Sequence, residues 1–200
     1  MNEPFVPQNP YAPPAVAESY DARFRQEVGG LALKWVYAGL AVIAALMPIV
    51  AVLPLGLDES DVLLVTSADL VLGLIGGIVA LIWLYKAWSS VPPMFRGDVT
   101  LGRVVGGHFV PFYNIYWMFA VNTKLCAGLD GALGYNKSRA RAPGGLAVGA
   151  PLLHIAAGMI GLAGGYIAAI AALASAAVWT LSMIKIDEAR LARVSPAPQQ

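Results

Sequence analysis

The sequence predicts an all-α, polytopic helical membrane protein with about four transmembrane helices and one further re-entrant or interfacial element. Three observations support this fold class. Hydrophobic residues make up 58% of the chain and charged residues only 12%, whereas a soluble domain carries roughly a quarter charged residues. Several apolar runs are long enough to cross a bilayer, and the lysines and arginines can be sorted onto one side of it.

The first two predicted spans cover residues 35–57 and 62–85. Residues 35–57 contain no charge and exceed the roughly 20 residues needed to cross a hydrocarbon core. The connection between the two spans holds Asp58, Glu59 and Asp61 but no Lys or Arg, which is typical of an external loop.

A second apolar region, residues 145–184, predicts two more spans. As a single helix these residues would reach about 60 Å, which is twice the thickness of the hydrocarbon core. The chain therefore has to turn, and the glycines at positions 158, 161, 164 and 165 are the predicted turn. The resulting spans are residues 146–162 and 166–184.

Residues 104–121 are long enough to cross but carry His108, Pro111 and Asn114. If they cross, the Lys and Arg residues divide six to seven between the two sides. If they re-enter or lie in the interface, all 13 fall on one side, as the positive-inside rule favours. We therefore expect a multi-pass protein of the bacterial inner membrane with both termini in the cytoplasm. The less favoured alternative is one crossing followed by one very long helix, which divides the charges nine to four.

Three regions are predicted along the chain. Residues 1–30 are a disordered, proline-rich cytoplasmic tail, because their composition buries too little apolar area to offset the entropy of ordering. Residues 31–188 are a helical membrane domain, and residues 189–200 are a short cytoplasmic tail. With one cysteine, Cys126, and two histidines, no intrachain disulfide can form and no cluster has the spacing of metal ligands. We expect no metal and no cofactor.

The region between the second and third spans carries a recognisable set of residues: Trp88, Pro92, Pro93, Gly102, Val105, Gly106, Phe109, Pro111, Phe112, Asn114, Tyr116 and Trp117. With these residues the region resembles an uncharacterised bacterial family of small polytopic membrane proteins. That family has an aromatic helix end, a pair of prolines and a core of the form G-x3-G-x2-F-x-P-F-x-N, and Leu101 stands where it usually has proline. The resemblance implies a membrane location and this topology, but no activity.

Four polar residues in apolar surroundings form a candidate intramembrane site: Asp69, His108, Asn114 and His154. A carboxylate at mid-membrane costs several kcal/mol, so such residues are functional candidates by default. Each also has a structural explanation. Asp69 reaches water if its span begins at Thr66, a lone histidine commonly serves packing, and Asn114 can tie together backbone that Pro111 has broken.

Small residues recur at every fourth position on two of the predicted spans. Such stripes allow close contact between membrane helices, and they predict either packing within the chain or self-association. The residues are Gly73 and Gly77 on the second span and Ala168, Ala172 and Ala176 on the last.

The leading functional hypothesis is a non-enzymatic scaffold or accessory subunit that contacts the lipid bilayer and a membrane-protein partner. The sequence contains no nucleophile elbow, paired carboxylates, H-E-x-x-H helix or phosphate-binding glycine loop. The alternative is a channel or transporter with a polar site near Asp69, Asn114 and His154. The basic residues beside the apolar segments are typical of contact with anionic lipid, and no nucleic-acid partner is expected.

Overall fold

The computed structural model describes residues 32–52, 58–133, 143–161 and 165–194. These residues form six α-helices and no strands, so the all-α class is confirmed for them. The predicted tail at residues 1–30 lies outside the described residues. The helices are α1 (Leu33–Val52), α2 (Glu59–Ser89), α3 (Leu101–Gly106), α4 (Tyr113–Leu133), α5 (Gly144–Gly161) and α6 (Gly165–Val194), with 3-10 turns at Pro93–Phe95 and Gly107–Phe109.

The sequence predicts about four transmembrane helices, but only two of the described helices are long and apolar enough to cross a membrane. They are Glu59–Ser89 and residues Tyr166–Ala192 of α6. The most apolar windows of these helices are only 6% and 33% buried within the protein, whereas the core helix of a soluble protein is mostly buried. The apolar parts of α1 and α5, Leu33–Met47 and Gly144–Ile160, are shorter. The apolar run from residue 145 forms two helices, as the sequence predicts, and α6 continues to Val194.

Local chemistry explains where α2 begins. Asp58 is its N-cap: the Asp61 backbone N–H donates to the Asp58 carboxylate at 3.0 Å, and the Asp58 backbone N–H donates to Asp61 at 3.3 Å. This reciprocal capping box satisfies amides that the first turn leaves without partners. Hydrogen bonding, first from the Ser60 hydroxyl, lowers the pKa of Asp58. An acidic helix start is also favoured by the helix dipole.

A buried carboxylate, Asp187, joins the ends of three helices. Lys34 at the start of α1 donates to it at 2.9 Å, and Arg190 on α6 donates at 2.7 Å. The indole N–H of Trp83, near the end of α2, donates at 3.3 Å. Arg190 also donates to the Ser90 hydroxyl at 3.0 Å. The start of α1 therefore lies beside the ends of α2 and α6, so α2 and α6 run in the same direction and α1 runs against both.

These contacts define two ends of the bundle. We call the end where α1 begins and α2 and α6 terminate the basic end, because Lys34, Lys86, Lys185 and Arg190 lie there. The opposite end, where Asp58, Glu59 and Asp61 begin α2, is the acidic end. The main hydrophobic core lies toward the basic end, and its largest fully buried members are Trp83, Trp88, Leu125, Leu129, Met183 and Ile186.

Residues 93–133 form a helical hairpin that leaves the basic end and returns to it. The outward arm runs against α4: Asp98 accepts from Lys124 at 2.6 Å, and the Trp117 indole N–H donates to the Val104 carbonyl at 3.2 Å. Leu133, at the end of α4, joins the same core as Trp88. The contacts along α4 reach from Trp117 to Gly131, a separation of 14 positions or about 21 Å.

Close backbone approach within the hairpin depends on three glycines. A Cβ at Gly128 would lie 2.9 Å from the Phe95 carbonyl oxygen, and one at Gly131 would lie 2.9 Å from the Phe95 ring. A Cβ at Gly107 would clash with the indole of Trp117.

The hydrogen bond from the Lys124 ammonium lowers the pKa of Asp98, which is consistent with a formed ion pair between the two arms.

The hairpin turns at residues 110–112, where the helix breaks as the proline predicts. The Tyr113 backbone N–H donates to the Pro111 carbonyl at 2.6 Å, and Phe112 between them has a φ of 59°. This left-handed conformation is strained for an aromatic residue. The ring of Phe112 is 90% exposed and Phe109 is 73% exposed. The predicted single element at residues 104–121 is therefore two arms, and its second helix extends beyond residue 121 to Leu133.

We expect Asp187→Asn to destabilise the bundle by about 3–5 kcal/mol, because buried Arg190 and partly buried Lys34 would both lose the carboxylate that pairs with them. Unfolding in mixed detergent micelles, followed by tryptophan fluorescence, measures this loss. The matched control is Glu188→Gln, which removes the adjacent, exposed carboxylate that pairs with Lys185 and should change stability by less than about 0.5 kcal/mol. Equal stability of the two variants would contradict a structural role for Asp187.

Candidate functional site

A cleft of about 710 Å³ opens between α1, α2, α5, α6 and the hairpin. Three of the four predicted polar residues line it: Asp69 on α2, His108 in the second 3-10 turn and His154 on α5. Asp69 is half-buried and lies ten residues into α2, or about 15 Å from the start of that helix. Four other residues bring polar groups to the cleft: Tyr37, Asn122, Ser175 and Trp179.

Asn114, the fourth predicted residue, does not line the cleft. Its backbone N–H donates to the Val110 carbonyl at 3.0 Å and closes the turn of the hairpin. No hydrogen bond of its side chain is present within the described residues. The predicted role in joining broken backbone therefore belongs to the main chain of Asn114 and not to its amide group.

Asn122, two turns further along α4, supplies the amide that the cleft contains. Its side chain is 2% exposed, and its Nδ2 donates to the Met118 carbonyl at 2.7 Å. Its Oδ1 has no hydrogen-bond partner among the described residues. A buried acceptor without a donor costs about 1–3 kcal/mol, so this atom is a candidate contact for whatever enters the cleft. The sequence analysis missed it because the predicted segment ended at residue 121.

The two histidines are held by hydrogen bonds. His154 Nδ1 lies 3.3 Å from the Ser175 hydroxyl, and its ring meets Trp179 edge to face with the centroids 6.4 Å apart. His108 Nδ1 lies 2.9 Å from the Val104 carbonyl. A serine beside a histidine is the arrangement of a nucleophile and its base, but no carboxylate of the described residues orients His154. This contact therefore fits helix packing better than catalysis.

The two predicted small-residue stripes face the cleft. Gly73 and Gly77 line it from α2, and Ala168, Ala172 and Ala176 line it from α6. A Cβ added at Gly73 or Gly77 would meet nothing within 4 Å, so the open space beside the stripe is not filled by another helix of the described chain. On α2 the stripe therefore forms an open wall of the gap, whereas Ala168 and Ala176 on α6 are 6% and 7% exposed and pack against neighbouring residues.

The residues of the family-like motif lie in and around the hairpin. Trp88 is fully buried in the core, Pro92 is buried, and Pro93 begins the first 3-10 turn. A Cβ at Gly102 or Gly106 would meet nothing within 4 Å, so these motif glycines are not needed for close packing. Phe109, Pro111 and Phe112 are exposed at the turn. Apart from Phe109 in the cleft wall, the motif builds the hairpin more than it builds the site.

No group of three or more His, Cys, Asp or Glu within the described ranges has the arrangement of a metal site. Comparison of the chain with protein-family models, curated proteins and solved structures finds no match. The resemblance to a family of small membrane proteins therefore stays a prediction, and functional proposals rest on the geometry of the cleft and the hairpin.

Proposed function

We propose that this chain is a non-enzymatic integral membrane protein, an accessory or scaffold subunit whose cleft receives a transmembrane helix of another membrane protein. The observation that carries the proposal is the open space beside Gly73 and Gly77 on α2, in a cleft that the small residues of α6 also line. Small residues let membrane helices approach closely enough for van der Waals packing to hold them together. A gap walled by Gly73, Gly77 and Ala172 suits the backbone of a helix.

In this proposal α2 and α6 cross the bilayer, the shorter apolar helices α1 and α5 lie in it beside them, and the hairpin enters from the basic end and turns back. The largely unburied surface of α2 supports contact with lipid. Its exposed side chains include Leu63, Leu64, Leu70 and Leu74. The exposed aromatic residues at the turn of the hairpin also suit an apolar environment. The separation of a basic from an acidic end favours a cytoplasmic location for the basic end in a bacterial inner membrane, with both termini on that side.

A lysine-specific, membrane-impermeant reagent tests this orientation. In right-side-out vesicles we expect Lys34, Lys86, Lys124 and Lys185 to remain unmodified, and in permeabilised vesicles the exposed Lys124 and Lys185 should react, as measured by mass spectrometry of the peptides. Reaction of Lys124 in sealed vesicles would contradict the returning hairpin, because it would place this arm on the external side.

Filling the cleft tests the helix-docking function. We expect the double variant Gly73→Leu, Gly77→Leu to lower recovery of the partner in mild-detergent co-purification at least tenfold, because leucine side chains would occupy the space of the docked helix. The matched control is Gly39→Leu on α1, where an added Cβ also meets nothing within 4 Å but which does not line the cleft. A partner whose recovery depends on the cleft but not on Gly39 supports the proposal.

Two differently tagged copies of the chain distinguish the occupants. Cleft-dependent recovery of one copy with the other would identify the partner as a second copy of this chain. A wild-type protein that brings down neither a partner nor itself would contradict the scaffold function.

A second candidate, a channel or transporter, is favoured by the polar residues that share the cleft. Asp69, His108 and His154 line one space together with the free acceptor of Asn122, and ionisable groups within membranes commonly mark ion or proton pathways.

Reconstituted vesicles test this candidate. If the cleft conducts, Asp69→Asn and His154→Ala should each reduce proton or cation flux at least tenfold while the thermal unfolding midpoint stays the same. Asp98→Asn, which neutralises an exposed acid outside the cleft, is the control. Flux that neither cleft variant changes would remove transport from consideration.

A further inference from the structure

A second, smaller cleft lies at the basic end, between the end of α2 and the start of the hairpin. Its volume is about 180 Å³, and five residues line it: Tyr85, Lys86, Ser89, Arg96 and Leu101. Two of them are cationic and none is acidic. This cleft is separate from the large one, because the two share no lining residue.

Lys86 and Arg96 differ from the other described lysines and arginines in their ion pairing. Seven lysines and arginines have described side chains, and five of them form salt bridges: Lys34 and Arg190 with Asp187, Arg103 and Lys124 with Asp98, and Lys185 with Glu188. Lys86 and Arg96 form none with the described residues. The two cations that lack a carboxylate partner there therefore share one cleft.

Arg96 is fixed in place by the end of α2. Its Nε donates to the Val91 carbonyl at 2.7 Å and its Nη2 to the Ser89 carbonyl at 2.9 Å. These bonds satisfy carbonyls at and just beyond the helix end. They leave the N–H groups of Nη1 available while holding the guanidinium plane still, so little side-chain entropy remains to be lost on binding an anion.

We propose that Lys86 and Arg96 bind the phosphate group of an anionic phospholipid. A phosphate diester accepts several hydrogen bonds and suits a guanidinium fork joined by an ammonium group. The position favours lipid over soluble phosphate: the cleft lies at the end of a helix long enough to span the bilayer, beside the half-exposed ring of Tyr85, where aromatic residues meet headgroups. Met94 and Phe95, 81% and 40% exposed, offer apolar surface beside Arg96 for the acyl chains.

This inference rests on the membrane location in the proposed function, but not on helix docking. The experiment measures binding of dioleoyl-phosphatidylglycerol to the detergent-purified full chain by native mass spectrometry. Each basic residue near an anionic surface contributes about fivefold to affinity, so Lys86→Gln should weaken binding about fivefold and Arg96→Gln by at least as much. Lys185→Gln, which makes the same charge change at the same end in a lysine paired with Glu188, is the control and should leave binding unchanged.

Because Arg96 also caps α2, Arg96→Gln is accompanied by a thermal unfolding measurement, and Lys86→Gln remains decisive if Arg96→Gln does not fold. Dioleoylglycerol, which lacks phosphate, should not compete. Inorganic phosphate tests the other source: if it displaces the lipid at equal concentration, the site recognises soluble phosphate and the lipid assignment is overturned. Equal lipid binding by Lys86→Gln and Lys185→Gln would overturn the site itself.

The membrane location is tested separately by extraction of native membranes with alkaline carbonate. Release of the chain would contradict the proposed function. A chain that resists extraction, but whose Lys86→Gln variant binds phosphatidylglycerol like the wild type, would contradict this inference alone.

Discussion

The buried carboxylate of Asp187 is the interaction on which the arrangement of the bundle depends. It accepts from Lys34, Arg190 and Trp83, and so fixes the start of α1 to the ends of α2 and α6. Burying a charge is unfavourable unless it is paired and hydrogen-bonded. Here the pairing is the means by which three helix ends are specified, because only this arrangement brings both cations and the indole to one carboxylate.

The same network explains why the two halves of the bundle differ. The hydrophobic core collects around Asp187 at the basic end, where the hairpin adds Leu125, Leu129 and Leu133. Further from the basic end, alanines of α5 and α6 such as Ala157, Ala168 and Ala169 are buried, whereas Gly73 and Gly77 leave space beside α2. The cleft results because the helices are joined tightly at the basic end and do not fill the space beside α2.

Several features of this fold could be predicted from the sequence because they depend on local chemistry. The apolar run from residue 145 exceeds the membrane thickness, so it had to become two helices, and Pro111 broke a helix because it lacks an N–H group. The number of helices long enough to span a membrane was harder to predict from the sequence. Apolar residues near positions 35 and 146 suggested two full spans. The apolar helical segments described there, Leu33–Met47 and Gly144–Ile160, do not reach the length of a span.

Contacts between distant residues account for what the sequence did not predict. The motif glycines Gly102 and Gly106 have open space around them, while Gly107, Gly128 and Gly131 meet Trp117 or Phe95, which only the folded hairpin brings near. Three of the predicted polar residues line the cleft. The amide in the cleft belongs to Asn122 and not to Asn114, because the turn of the hairpin determines which face of α4 lies toward the cleft. The role of Asp187 was not predicted, because Lys34 and Trp83, which donate to it, lie on other helices.

The separation of Lys34 from Asp187 along the chain has a consequence for biosynthesis. The two residues are 153 positions apart, and a ribosome adds about 5–20 residues per second. Lys34 is therefore made roughly 8 to 30 seconds before its carboxylate exists. Throughout that interval the ammonium group of Lys34 lacks this carboxylate and has to be solvated in another way. Closure of the bundle is thus a late event that waits for the last helix to be completed.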